Sequence, residues 1–354
     1  MLVESGVLVP PLKLSVEKHL VCGGGGSRAA LGSTGVILAC HFAGLKDWDS
    51  LGGASGGSIP TLLLAAGVHP IIVARKIIET DFTSLFARHA SPLRILLTYF
   101  LKDTYYRIVR PQSGLMSSEK LGEFLESNIS RWPENYWTIA AAGSSQLIFN
   151  SAGVFEYTPD GECHVLSTEP APVGLAVRAS CAIPGVFDSI PFMDRHLCDG
   201  ALSIDGRTPV GAVKRHLSVM PEEIVGVDFG ENPERRWWIT RIVWDLIWRI
   251  LCGKHCPDEG MIPHDSQGIV LVKPDGMRIE FLQFALSHDQ KWHTIMCGFR
   301  AAISSLDDAR LLQGERLKTA REILKAFDEF DKTAHAKGEL ATRTESLLAS
   351  HGLY

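Results

Sequence analysis

Apolar residues along this chain gather into short runs that stop at glycine clusters, a pattern that predicts buried strands feeding tight turns and helices. Leu14–Cys22 ends in His19-Leu20-Val21-Cys22 and predicts a strand. It runs directly into Gly23-Gly24-Gly25-Gly26, after which Ala29–Ala43, rich in small and apolar residues, predicts a buried helix. Asp49–Gly52 predicts a second, brief strand before Gly53-Ala54-Ser55-Gly56-Gly57. Ser58–Ala66 then reads as a helix, with Gly67 placed to end it. Two strand–glycine–helix units in succession predict an α/β sheet with mostly parallel strands.

Residues 70–135 read as mainly helical and include the apolar stretch Pro92–Leu101. Strand-like runs return at Trp137–Ala142, Gln146–Asn150 and His164–Leu166, and Val173–Cys181 predicts a short helix stopped before Pro184-Gly185. Glu223–Asp228 predicts a core strand, 235–251 a tryptophan-rich helix and Gly268–Val272 a late strand. From Leu306 to about Lys332 a charged amphipathic helix is expected, with a polar tail after it. No internal repeat or low-complexity linker divides the chain, so one domain with helical insertions is expected.

Composition narrows the picture. With 354 residues, 45% hydrophobic and 21% charged, the chain is long and apolar enough for a sizeable core. A net charge of −5 argues against nucleic acid, which is held by clustered lysine and arginine. No basic segment precedes an apolar one at the start, and no apolar run reaches the ~18 residues a membrane span needs. A cytoplasmic protein, soluble or peripheral to a membrane, is the expectation. The eight cysteines (22, 40, 163, 181, 198, 252, 256 and 297) are scattered and read as reduced, buried thiols. Cys252, His255 and Cys256, with His264 downstream, lack the spacing of a zinc site, so no metal is expected.

Gly53-Ala54-Ser55-Gly56-Gly57 matches G-x-S-x-G, the nucleophile elbow. A serine on a sharp strand-to-helix turn needs neighbours without bulky side chains, and the amide after it points where an oxyanion forms. Ser55 is therefore the candidate nucleophile. The Gly23–Gly26 run at a strand end can form an anion-binding nest ahead of a helix, for a phosphate or for the oxyanion of acyl transfer. Gly24-x-Gly26-x-x-Ala29, with Asp47 and Asp49 downstream, satisfies a loose dinucleotide fingerprint, although no P-loop lysine follows.

A third element is Cys198-Asp199-Gly200-Ala201, downstream of Arg178–Phe187. Together, Gly24-Gly25-Gly26-Ser27-Arg28, the Ser55 pentapeptide and Asp199-Gly200-Ala201 resemble the patatin-like phospholipases, whose glycine loop, G-x-S-x-G elbow and D-G-G/A motif occur in that order. The resemblance covers residues 18–67 and 174–210 most closely. It implies a three-layer α/β fold with a mostly parallel central sheet, helices on both faces and helical insertions. On this reading residues 1–305 form the patatin-like domain (core about 15–230, insertions about 70–135 and 231–262), and 306–354 a C-terminal helix and tail.

The resemblance further implies a lipid acyl hydrolase of phospholipase A or lysophospholipase type, acting on phospholipid or related acyl lipids without a cofactor. Ser55 would attack the ester carbonyl and Asp199 would serve directly as general base. The amides of Gly24, Gly25 and Gly26 would hold the oxyanion, with Arg28 fixing the loop or balancing charge. Ala29 departs from the family's usual glycine after the basic residue, and Gly35 falls about one residue late. The residues alone leave an ordinary triad open through His196, His264, His288 or His293. Asp194, Asp205 and Asp228 are competing acids, expected at turns or on the surface.

Trp237–Leu251 places Trp237, Trp238, Trp244 and Trp248 against a polar stripe of Arg241, Asp245 and Arg249. This suits either an interfacial helix in peripheral contact with a membrane or a lid packed on the active site. Two rival readings stand beside the hydrolase: a nucleotide-binding protein using the Gly23–Gly26 loop, and a catalytically inactive membrane-binding relative.

Overall fold

The computed structural model describes residues 18–88, 114–230 and 268–354. Leu14 to Glu17 of the first expected strand, the Pro92–Leu101 stretch, the 231–262 insertion with Trp237–Leu251, and Cys252, His255, Cys256 and His264 lie outside the described residues.

In chain order the elements begin with β1 (His19–Cys22), α1 (Gly26–Ala43), β2 (Ser50–Gly53), α2 (Ser58–Ala65) and α3 (Pro70–Glu79). Next come β3 (Ala87–Arg88), β4 (Met116–Ser117), α4 (Glu119–Asn128), β5 (Tyr136–Ala142), β6 (Ser145–Asn150), β7 (Gly153–Tyr157) and β8 (Cys163–Ser167). They continue with α5 (Val173–Ser180), β9 (Ile190–Phe192), β10 (Arg195–Leu197), α6 (Val210–Leu217) and β11 (Ile224–Val227). The last are β12 (Val270–Val272), α7 (His288–Asp308), α8 (Gly314–Thr333) and α9 (Glu339–Ser350).

The central sheet has eight strands in the order β12-β11-β1-β2-β5-β6-β7-β8. The pairings from β12 to β5 are parallel, and β5 to β8 continue as antiparallel hairpins. Side chains alternate between two cores. Leu20, Leu51 and Tyr136 stand in register on β1, β2 and β5 and join the core built with α1, α3 and α7. Their neighbours Val21 and Trp137 point the other way, into a core with Val210, Ala212 and Val213 of α6. Helices therefore cover both faces, the three-layer arrangement expected, and strands buried on both sides account for the continuous apolar runs that marked them in sequence.

The register delivers the motifs to one place. Cys22 of β1 lies opposite Gly53 of β2, so the glycine loop and the Ser55 turn leave neighbouring strands at the same end. Cys198 exchanges two backbone hydrogen bonds with Ala141, both 2.9 Å, which brings Asp199 to the carboxyl end of β5. Carboxyl ends of parallel strands, where the connections change direction across the sheet, are where such folds place their ligands.

Several elements differ from expectation. Only part of 70–135 is helical among the described residues: between α3 and α4 the chain forms the small β3–β4 ladder. β7 and α7 were not legible as elements, and the polar tail expected after Lys332 instead forms α9, with Leu340, Thr344 and Leu348 buried. The expected boundary at 305/306 falls within α7, and α8 and α9 pack on that helix. Cys22, Cys40, Cys181 and Cys297 are buried free thiols as expected, whereas Cys163 is exposed because β8 ends the sheet. Among the described residues no helix is long and apolar enough to cross a membrane.

Candidate active site

Ser55 opens the three-residue turn Ser55–Gly57 between β2 and α2, with φ at 51°, a left-handed conformation that costs a serine roughly 1–3 kcal/mol. The surroundings impose it. A side-chain carbon on Gly56 would lie 2.1 Å from the Gly26 carbonyl oxygen, and one on Gly53 would lie 2.5 Å from that of Cys22. The glycines flanking the serine are there because the backbone of the glycine loop passes against the turn.

The Ser55 hydroxyl donates to Asp199 Oδ2 at 2.6 Å, and Asp199 Oδ1 accepts the Ala201 N–H at 2.8 Å. Both residues are 2% exposed. Burial pushes the Asp199 carboxyl up to about 7, against the opposing pull of its hydrogen bonds from Ser55 and Ala201. An acid so placed is a far better proton acceptor near neutral pH than an exposed carboxylate.

The other candidate acids have structural partners. Asp205 lies in a turn, as expected, but is buried and pairs with Arg215 at 2.5 Å; Asp228, expected at a turn or on the surface, is buried at the end of β11 and accepts from Thr208 at 3.2 Å. Asp194 is exposed, as expected. Of the histidines proposed for a triad, His196 and His288 are exposed. His293 is buried on α7 against Cys297 and Asp331, at 3.7 and 3.8 Å. None of these three lines the cavity that contains Ser55.

The glycine loop meets Ser55 directly. Gly26, Ser27, Ser55 and Gly56 all line one cavity, and Gly26 has φ 56°. The loop amides are not equivalent. The Gly24 N–H already donates to the Arg207 carbonyl at 2.8 Å, and Ser27 N–H to that of Phe281 at 3.2 Å. Gly25 and Gly26 head α1, whose first-turn N–H groups have no acceptor inside the helix. Half-buried Arg28 lies in this first turn of α1. Ala29 is fully buried within α1, and Gly35 allows α1 and α7 to touch backbone to backbone, since a side chain there would meet Ile295 O at 1.9 Å.

Away from Ser55 the cavity is apolar, walled by Ile59, Ile77, Leu121 and Phe124 and by a three-ring cluster. In that cluster Phe86 lies 4.7 Å from both Phe187 and Phe284, and Phe187 lies 6.0 Å from Phe284, centroid to centroid. The channel is tight, with a cavity volume of about 40 Å³. No sequence motif pointed to these rings, which come from three distant segments without shared periodicity. Mostly apolar walls leading to a serine and a raised acid suit an acyl chain better than a nucleotide.

The fold is thus of the α/β class, a mostly parallel sheet covered on both faces, with a strained serine turn and a directly bonded buried acid brought together at its strand ends. The sequence profile of the patatin-like phospholipase family matches residues 20–212, and the chain belongs to that family of lipid ester hydrolases. Among solved structures, VipD from Legionella pneumophila is 14% identical, with a TM-score of 0.45 over 89% of this chain and 75% of that one. The type III effector protein ExoU is 14% identical, with a TM-score of 0.37 over 96% of this chain and 69% of that one. Neither likeness is close enough to add to the family assignment. No curated protein sequence matches significantly.

Proposed function

We propose that the protein is a phospholipase A or lysophospholipase that cleaves carboxylic esters of acyl lipids through an acyl-Ser55 intermediate, with Asp199 as general base. The observation that carries this reading is the direct 2.6 Å hydrogen bond between Ser55 Oγ and Asp199 at the polar end of an apolar channel. As Oγ attacks the ester carbonyl, its proton passes to Asp199 Oδ2, and the tetrahedral oxyanion forms beside the glycine loop. Gly25 and Gly26 N–H groups, with that of Gly56 after the nucleophile, are the donors we assign to it. Gly24 joins them only by releasing Arg207. Arg28 and the end of α1 supply positive potential.

Collapse of the intermediate breaks the ester C–O bond, and the protonated Asp199 returns its proton to the departing alcohol. Water then repeats the sequence on the acyl-enzyme: Asp199 takes a proton from the water, the water oxygen bonds to the acyl carbon, and the acyl–Oγ bond breaks as Asp199 returns the proton to Ser55, freeing the fatty acid. Peripheral contact with the lipid surface is assigned to the amphipathic Trp237–Leu251 segment from its sequence pattern. The test is fatty-acid release from phosphatidylcholine and lysophosphatidylcholine vesicles. Ser55→Ala and Asp199→Asn should each lower turnover by at least ~10³-fold while leaving the circular dichroism spectrum unchanged. Substantial turnover by Ser55→Ala would refute the mechanism.

A further inference from the structure

The four residues from Ser180 to Ile183, running out of α5, meet the nucleophile, the acid and the channel in turn. Ser180 Oγ accepts the Ser55 N–H at 2.9 Å, and the Ala182 carbonyl accepts the Asp199 N–H, also at 2.9 Å. Cys181 and Ile183 face the channel. Two residues that must lie 2.6 Å apart at their side chains are thus hung from one short piece of backbone. The Ser55 N–H lies between β2 and α2, and its acceptor comes from 125 residues away. Ser180 is fully buried, so the Ser55 N–H takes its acceptor from the protein and not from bulk water.

We propose that Ser180 is a positioning residue for the Ser55–Asp199 pair: its hydroxyl ties the strained nucleophile turn to the segment whose Ala182 carbonyl holds the Asp199 backbone, and so sets the reach from Oγ to Oδ2. The inference rests on the acyl-Ser55 reading and deepens it. Without the hydroxyl, the Ser55 N–H is buried and unpaired, and the left-handed turn relaxes away from the acid. A displacement of about 1 Å at reacting atoms costs on the order of 10²-fold in rate. The loosened bond would also withdraw one of the interactions that hold the Asp199 carboxyl down, leaving burial to raise it further. The groups facing that carboxyl are the Ser55 hydroxyl and the Ala201 N–H, with the un-ionised Cys181 thiol nearby.

The experiment is the rate of labelling of the full chain by a serine-reactive fluorophosphonate, followed by intact mass across a range of pH. Ser180→Ala is expected to label at Ser55, at least about tenfold more slowly than wild type, with the acid limb of its pH profile moved to higher pH. Labelling within about twofold of wild type would overturn the proposal, as would slower labelling whose acid limb has not moved, the signature of a purely structural loss. Should Ser180→Ala fail to fold, Ser180→Cys, nearly the same shape with a weak acceptor, is read by the same two outcomes. Wild-type protein unlabelled at Ser55 would overturn the proposed function together with this inference. Wild-type labelling at Ser55 with an unaltered Ser180→Ala profile would overturn this inference alone.

Discussion

A carboxylate withdrawn from water becomes a stronger base and a weaker contributor to stability, and Asp199 shows both sides. Its carboxyl ordinarily titrates at 3.8 and is pushed up to about 7 in the folded protein. Between those values the folded state holds a proton that the unfolded chain has lost, so stability present at low pH is given up as pH rises towards 7. Asp199→Asn, which cannot ionise, should therefore melt above wild type at about pH 8, with the gap closing towards about pH 4. Thermal unfolding at the two pH values checks this, and a variant that melts lower at the higher pH would contradict it. For the same reason, wild-type hydrolysis should climb as pH rises through about 7, since the base must be unprotonated to act. Ser55 was a candidate because glycine neighbours are a local requirement of a sharp turn, whereas Asp199 was a candidate only through the family resemblance of its D-G-A motif; the structure brings the two together. The engagement of Gly24 with Arg207 was not legible, because it depends on where a remote loop passes.

Among the elements, the α1–α7 crossing carries the face of the sheet on which the channel lies. Gly32 and Gly35 of α1 meet the backbone of α7 so closely that a side-chain carbon on Gly298 would sit 2.0 Å from Gly32 O. Gly35→Ala should cost at least ~2 kcal/mol, measured by denaturant unfolding, because the backbone of a packed helix cannot yield as a side chain can. A neutral effect would mean the helices are not in contact there. α7 escaped the sequence reading because its buried face includes Lys291, His293 and Thr294, which break the apolar period. Lys291 is accommodated by donating to the carbonyls of Ile78 and Thr80, both at 2.6 Å, where α3 ends. α9 was missed for a different reason: its inward stripe, Leu340, Thr344 and Leu348, is narrow and lies among polar residues. The residues before α7 cover the channel, with Leu282 and Phe284 in its wall. Phe284→Ala should raise kcat/KM for esters of long or branched acyl chains more than for short ones, and equal effects across chain lengths would place the acyl group elsewhere.

For the whole molecule, the order of strands explains why motifs scattered over nearly two hundred residues converge. β1, β2 and β5 stand side by side, and the glycine loop, the Ser55 turn and Asp199 all emerge at their carboxyl ends. The parallel half of this sheet was legible, because strands buried on both faces are written as uninterrupted apolar runs next to glycine turns. The antiparallel half was only partly so: β7 starts with a glycine and carries Glu156, which is kept beside the sheet by Arg195. On the proposed mechanism, one serine, activated by one acid, performs the chemistry of the whole chain. Intact-mass analysis after fluorophosphonate treatment of wild type and Ser55→Ala tests it most directly, without a known substrate. A single adduct on wild type that is absent from Ser55→Ala is the predicted result, and an adduct that persists in the variant would contradict the account.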